Sequence, residues 1–193
     1  MSSRPRHPQN AVPDNKFGLT SQAELQRRET PLALRRLLEL QLSPIAGCFD
    51  TGHLQAIHRY IFQDVYDWAG ELRRVAISKP GAFFPPPEYL KSSLDALFAE
   101  LGREDCLKNL PSPAWARRAA CFLGEINAIH PFREGNGRAQ REFIRELALV
   151  AGHRLVWANL TQEEMIQASQ LSFLHRDYSA LERILAQSLG SFR

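Results

Sequence analysis

Cysteine is scarce in this 193-residue chain, which holds three, and Cys48, Cys106 and Cys121 form no Cys-x-x-Cys pair. Isolated thiols in odd number support neither a disulfide framework nor a zinc ribbon, so buried free thiols and a cytoplasmic location are expected. Long apolar runs are missing too. Nothing approaches the roughly 18 uncharged residues of a membrane span, and the polar opening Met1-Ser2-Ser3-Arg4-Pro5-Arg6-His7-Pro8 lacks a secretory core. No membrane partner is expected. Charge of one sign is also lacking: 24 Lys+Arg interleave with 21 Asp+Glu for a net +3. That pattern gives no single-sign field, so direct nucleic-acid binding is not expected. No Gly-x-x-x-x-Gly-Lys-Ser/Thr occurs, and His175-Arg176-Asp177 is not kinase-type because Glu182 stands where that loop needs Asn, which removes the better-known phosphate loops.

What is present is ordinary globular composition, 44% apolar and 23% charged, with length enough for one core. Residues 1–18 are expected to be a flexible tail and 19–193 a single domain. Ser21-x-x-Glu24 has capping-box spacing, Thr30-Pro31 offers a fresh helix start, and Leu34, Leu37, Leu38 and Leu42 share a helical face. Leu54, Ile57, Ile61 and Val65 repeat the helical period, which predicts a helix from Asp50 to about Gln63. Alternation at Val75 and Ile77, turn chemistry at Lys79-Pro80-Gly81 and a return through Phe83-Phe84 predict one β-hairpin. Helices are predicted over 87–101 with Gly102 as cap, 113–129, 136–151, 162–174 and 177–189. The fold class is mainly α, a helical bundle with one short hairpin.

The chemistry gathers in His130-Pro131-Phe132-Arg133-Glu134-Gly135-Asn136-Gly137-Arg138-Ala139-Gln140-Arg141. Pro131 ends a helix and leaves His130 on a loop. Gly135-Asn136-Gly137 can take positive φ and turn successive N–H groups toward one point at a helix start, an anion cradle. Arg138 and Arg141 lie three apart in the first turn, where both can lean over bound phosphates. Glu134 supplies one hard oxygen ligand, which suits Mg²⁺ shared with a nucleotide. Histidine titrates near neutral pH, so His130 is the group able to accept a hydroxyl proton. Each feature alone is weak, and Arg138, Arg141 and Arg145 could equally form a solvated face with Glu142 and Glu146. A structural turn, however, needs no such combination.

These residues resemble the Fic (filamentation induced by cAMP) signature, His-Pro-Phe-x-Asp/Glu-Gly-Asn-Gly-Arg-x-x-Arg, matched without a gap from His130 to Arg141. The likeness extends through Asp67-Trp68-Ala69-Gly70-Glu71-Leu72-Arg73 and Ile77-Ser78-Lys79, and is to compact bacterial Fic toxins in particular. It implies AMPylation, transfer of AMP from Mg-ATP to a target-protein hydroxyl. His130 would be the general base and Glu134 the Mg²⁺ ligand. Gly135, Asn136, Gly137, Arg138 and Arg141 would bind phosphates. A flap over residues 73–84 would dock an extended target segment through Ile77, Ser78 and Lys79. Trp68 could pack under that flap, and the region from Gln162 to Tyr178 could border the base pocket. Topoisomerase subunits are a target class the resemblance suggests.

The family's inhibitory helix carries Ser/Thr-x-x-x-Glu-Gly/Asn. Here only Thr20 to Glu24 has that spacing, and Leu25 follows. A capping role for Ser21 and Glu24 is the preferred reading, so the brake is expected in trans, from a small antitoxin placing a glutamate toward Arg141. Two rivals stay open. Relatives with Lys in place of the second motif Gly are kinases, against which Gly137 argues, and a non-catalytic binding module could use the arginines alone. His7, His53, His58, His153 and His175 share no metal-ligand spacing and are read as structural.

Overall fold

The computed structural model describes residues 12–79, 82–157 and 160–190. Its helices are α1 (Gln22–Leu42), α2 (Thr51–Phe62), α3 (Leu90–Arg103), α4 (Ser112–Ile129), α5 (Asn136–Val150), α6 (Gln162–His175) and α7 (Ser179–Ser188). Their starts are written in side chains. Ser21 accepts from the Glu24 N–H at 3.5 Å, Asp50 from that of His53 at 2.7 Å, and Thr161 with Glu164 forms a reciprocal capping box. At Ser21 the box is half made, because the Glu24 side chain remains exposed.

Helices α4 and α5 are the centre. Trp115, Ala119, Phe122 and Ile126 of α4, with Ala139, Phe143, Ile144 and Leu147 of α5, are buried, each of the larger ones contributing about 1.5–3 kcal/mol relative to exposure. Helix α4 packs on α3, α5, α6 and α7, while α2 joins α1 and α3 to α5. The loop between the two central helices carries the motif, so the deepest part of the core positions it.

Several expectations need correction. Helix α1 runs through Pro31 without restarting at Thr30. Proline forfeits one helical bond, and burial of Leu25, Ala33 and Leu40 offsets it. The face of Leu34, Leu38 and Leu42 points outward instead, with Leu42 90% exposed. Helix α3 passes Gly102 to Arg103, because the chain reverses later, at the left-handed residues Asp105, Cys106 and Leu107. Cys48 is exposed, and Cys106 and Cys121 are only half-buried. Trp68 packs on Tyr66 with centroids 4.2 Å apart and donates to the Asp14 carbonyl at 2.9 Å. That bond, and Lys16 N–H donating to the Val65 carbonyl at 2.9 Å, hold part of the expected tail against the α2 exit. Residues 1–11 of that tail lie outside the described residues.

The hairpin is shorter than its alternation suggests. Strands β1 (Ser78–Lys79) and β2 (Ala82–Phe83) pair antiparallel, Ser78 opposite Phe83 and Lys79 opposite Ala82. Val75 stays out of the ladder; its carbonyl is taken by the Arg73 side chain at 3.0 Å. Pro80 and Gly81 of the expected turn lie outside the described residues. A second ladder, β3 (Arg154–Leu155) with β4 (Leu189–Gly190), has two residues a side and left no periodicity to read. No helix is long and apolar enough to cross a membrane among the described residues.

Candidate active site

Helix α4 ends at His130, whose N–H still donates to the Ile126 carbonyl at 3.0 Å while its backbone turns left-handed at φ 48°. Pro131 denies His130 the helical region. Phe132 then plunges into the core, fully buried and stacked on His58 with centroids 3.9 Å apart. Asn136 staples this turn, its side chain accepting from Phe132 N–H at 2.8 Å and donating to the Phe132 carbonyl at 2.7 Å. The Asn136 side chain is thus committed to the loop, and only its backbone N–H is left for an anion.

Gly135 has φ 77°, and a Cβ there would lie 2.3 Å from the Phe62 ring. Both facts require glycine. Gly137 differs from the expectation of two left-handed glycines: it sits in the first turn of α5 with helical backbone. Its missing side chain leaves room beside Arg141, whose Nη1 would be 3.3 Å from a Cβ. The N–H groups of Asn136 and Gly137 open α5 with no acceptor within the helix. Gly135 N–H donates to Glu134 Oε1 at 2.9 Å, so a carboxylate stands where a bound anion would.

The two motif arginines are not equivalent. Arg138 donates to Glu29 Oε1 at 2.5 Å, lies over the Phe62 ring at 4.6 Å and is 3.9 Å from Glu134. The other Glu29 oxygen accepts from the Tyr66 hydroxyl, whose pKa burial and then that carboxylate push up. Arg141 pairs with no carboxylate among the described residues, and burial, then neighbouring Arg138, lower its pKa. One guanidinium therefore arrives neutralised and the other uncompensated. Arg145 faces elsewhere, buried against Glu142 at 2.6 Å, so no three-arginine solvated face exists.

His58 holds the loop from below. Its Nδ1 accepts from Gly70 N–H at 2.9 Å, which leaves Nε2–H to donate to the Glu134 carbonyl at 3.0 Å. Burial, with Arg138 nearby, pushes its pKa down to about 4, so it stays neutral. At His130 itself, Nδ1 lies 3.3 Å from the Asn127 carbonyl, a contact that favours the tautomer with the lone pair on Nε2. The ring stacks on Phe84, just past β2, with centroids 4.3 Å apart, and Phe84 in turn touches Phe173 of α6.

His130, Glu134, Gly135, Gly137, Arg138 and Arg141 line one cavity of about 860 Å³. Its walls are Gln22, Gln26 and Thr30 of α1 and Met165, Ser169 and Phe173 of α6, within the stretch expected to border a base. Gln140 also lines it, 3% exposed, and neither its Nε2 nor the Nε1 of Trp157 has a hydrogen-bond partner. No group of three His, Cys, Asp or Glu side chains able to hold a metal occurs among the described residues. A cation at Glu134 would take its remaining ligands from phosphate and water, as Mg²⁺ commonly does. Ile77 leads into β1, and Ser78 and Lys79 form it. Sequence reasoning missed Glu29, His58 and Phe84, whose parts depend on distant chain segments. Arg73 was at hand in the matched stretch, but without a function attached to it.

Comparison with known proteins identifies the family. The Fic/DOC family model matches residues 48–148. Over 185 residues, 96% of its length, the chain is 40% identical to the protein adenylyltransferase VbhT of Bartonella schoenbuchensis and spans 38% of that protein. It is 34% identical over 173 residues to the probable protein adenylyltransferase Fic of Escherichia coli K12, covering 90% of this chain and 85% of that one. The BepC effector of Bartonella tribocorum, solved with bound AMPPNP, superposes with a TM-score of 0.85 at 24% identity over 93% of each chain, a likeness of fold. The Fic domain of a Bartonella quintana effector, solved with bound ADP, gives 0.85 at 25% identity over 94% of this chain and 92% of that one. With more than half of its residues inside the family match and the signature loop intact, the chain belongs to the Fic/DOC family.

Proposed function

We propose that this chain is a protein adenylyltransferase that moves AMP from Mg-ATP to a hydroxyl side chain of a target protein. The observation that carries the reading is one cavity in which His130 and the uncompensated Arg141 flank a cradle that only glycine at position 135 permits. Relatives named as adenylyltransferases, and a structural neighbour holding ADP at 25% identity, support a nucleotide there.

In this mechanism His130 takes the proton from the target hydroxyl as its oxygen attacks the α-phosphorus, and the bond to the leaving pyrophosphate breaks. The N–H groups of Asn136 and Gly137 at the start of α5 face the charge that develops on the phosphate. Arg141 meets the β- and γ-phosphates with its full charge, while Arg138, already balanced by Glu29, contributes donors in a fixed position. Glu134 would hold Mg²⁺, which supplies charge neutralisation along the phosphates. Strand addition at β1, through Ile77, Ser78 and Lys79, would align the target segment. The Mg-ATP of the cytoplasm suits such a reaction.

Labelled ATP tests the reading. In lysate, α-label should reach a protein band with the wild-type chain and not with His130→Ala, whereas γ-label should not. The reverse would assign a kinase, and no transfer with intact salt-sensitive DNA binding would assign a binding module. The identity of the band decides whether topoisomerase subunits are the target.

The same reading includes regulation by a toxin-antitoxin pair. Glu29 engages Arg138, and Glu24 is exposed at the start of α1, so neither carboxylate blocks Arg141. A separate small antitoxin would insert a glutamate there, and expression of the chain alone would slow growth. Glu24→Gly should leave activity unchanged; a sharp rise would place the brake inside the chain.

A further inference from the structure

Arg73 is 4% exposed, and no carboxylate among the described residues pairs with it. Its cation is met by carbonyls instead. Nε donates to His130 at 2.8 Å, Nη1 to Val75 at 3.0 Å, and Nη2 to Pro85 at 2.6 Å and to Ile129 at 3.4 Å. Its own N–H donates to the Pro131 carbonyl at 2.9 Å. Ile129 and His130 end α4, where the helix dipole is negative and the carbonyls lack helical partners, so a buried cation is at home there. Val75 and Pro85 stand on the two legs of the hairpin, before β1 and after β2.

The three nitrogens of one planar group thus reach the hairpin's entry leg, its exit leg and the backbone of the base. Phe84 makes a second connection, from the exit leg to the His130 ring. We propose that Arg73 is the positioning residue of this site, locking the target-docking flap and the histidine loop into one body so that the attacking hydroxyl and its base keep a fixed separation. This rests on the adenylyltransferase reading for the part His130 plays.

Arg73→Lys separates charge from span. Lysine keeps a cation at the α4 terminus, but its single nitrogen cannot reach both legs and the loop together. In nuclear magnetic resonance the wild-type His130 ring, assigned by its absence in His130→Ala, should show the upfield ring-current shift that stacking on Phe84 produces. Arg73→Lys and Arg73→Gln should lose that shift well below their melting temperatures. Transfer of α-label to the lysate band should fall on the order of tenfold to a hundredfold, the scale of a misplaced reacting group. Affinity for Mg-AMPPNP should stay within about threefold, since the cradle is untouched. An unmoved His130 resonance with transfer within about twofold of wild type overturns the proposal. Loss of folding in both variants at 10 °C also overturns it, for Arg73 would then be a folding residue. Failure of the wild-type chain to bind Mg-AMPPNP would count against the nucleotide reading, while the resonance shift still reports on the clamp.

Discussion

Acid should destabilise this protein through His58, by an amount the structure lets one calculate. Its pKa lies near 6.5 when unfolded and is pushed down to about 4 in the fold by burial. Between those values the unfolded chain binds a proton that the folded chain refuses, so stability is complete above about pH 6.5 and declines as pH falls, levelling off below about 4. At pH 5 the loss from this one group is about 2 kcal/mol, which for a chain of this size is about 4–8 °C in melting temperature. The imidazole must then charge while it bridges Gly70 and the Glu134 carbonyl, so the motif loop loses its support at the same time. His58→Gln keeps a donor toward Glu134 and removes the titration. Thermal unfolding of both proteins at pH 7.5 and pH 5.0, in magnesium-free buffer, isolates the term as a difference of differences. Wild type should lose about 4–8 °C more than the variant over that step. Equal losses in the two proteins would refute the reasoning and place the acid sensitivity elsewhere.

Gly135→Ala should destabilise the fold by about 2–5 kcal/mol, from left-handed backbone strain plus overpacking against Phe62, and should weaken Mg-AMPPNP binding; denaturant titration and calorimetry would measure both. Arg138→Ala should cost about 3–5 kcal/mol by leaving the buried Glu29 carboxylate without its cation. Arg141→Ala should cost little stability, because it removes a cation that has no carboxylate partner among the described residues, yet should weaken Mg-AMPPNP by at least about tenfold. Equal stability losses in the two arginine variants, read from urea midpoints, would contradict the asymmetry described here.

Much of the site could be read in order along the chain because its members are consecutive. The turn after His130, the left-handed Gly135 and the helix start at Asn136 are local consequences of Pro131 and the glycines, and local rules predict them. Glu29, His58 and Arg73 escaped because their roles come from backbone carbonyls and side chains far away in sequence. The partner of Glu29 is Arg138, and His58 reaches Glu134. Helix α1 shows the same limit in the fold. Periodicity identified a face of leucines, but the buried side is set by where α2 lies, and there Leu25, Glu29, Ala33 and Leu40 face inward. Pro31 read as a boundary because its local cost is visible and its tertiary compensation is not.

The motif loop hangs between α4 and α5, two helices that bury much of their surface in the core. Such a mounting leaves little freedom for the reaction machinery itself to drift, because most changes near it disturb the interior. Under the proposed function, the places free to set acceptor preference are peripheral: the hairpin and the outward faces of α1 and α6. Exchange of those rims between family members should redirect the enzyme toward new clients without rebuilding its engine.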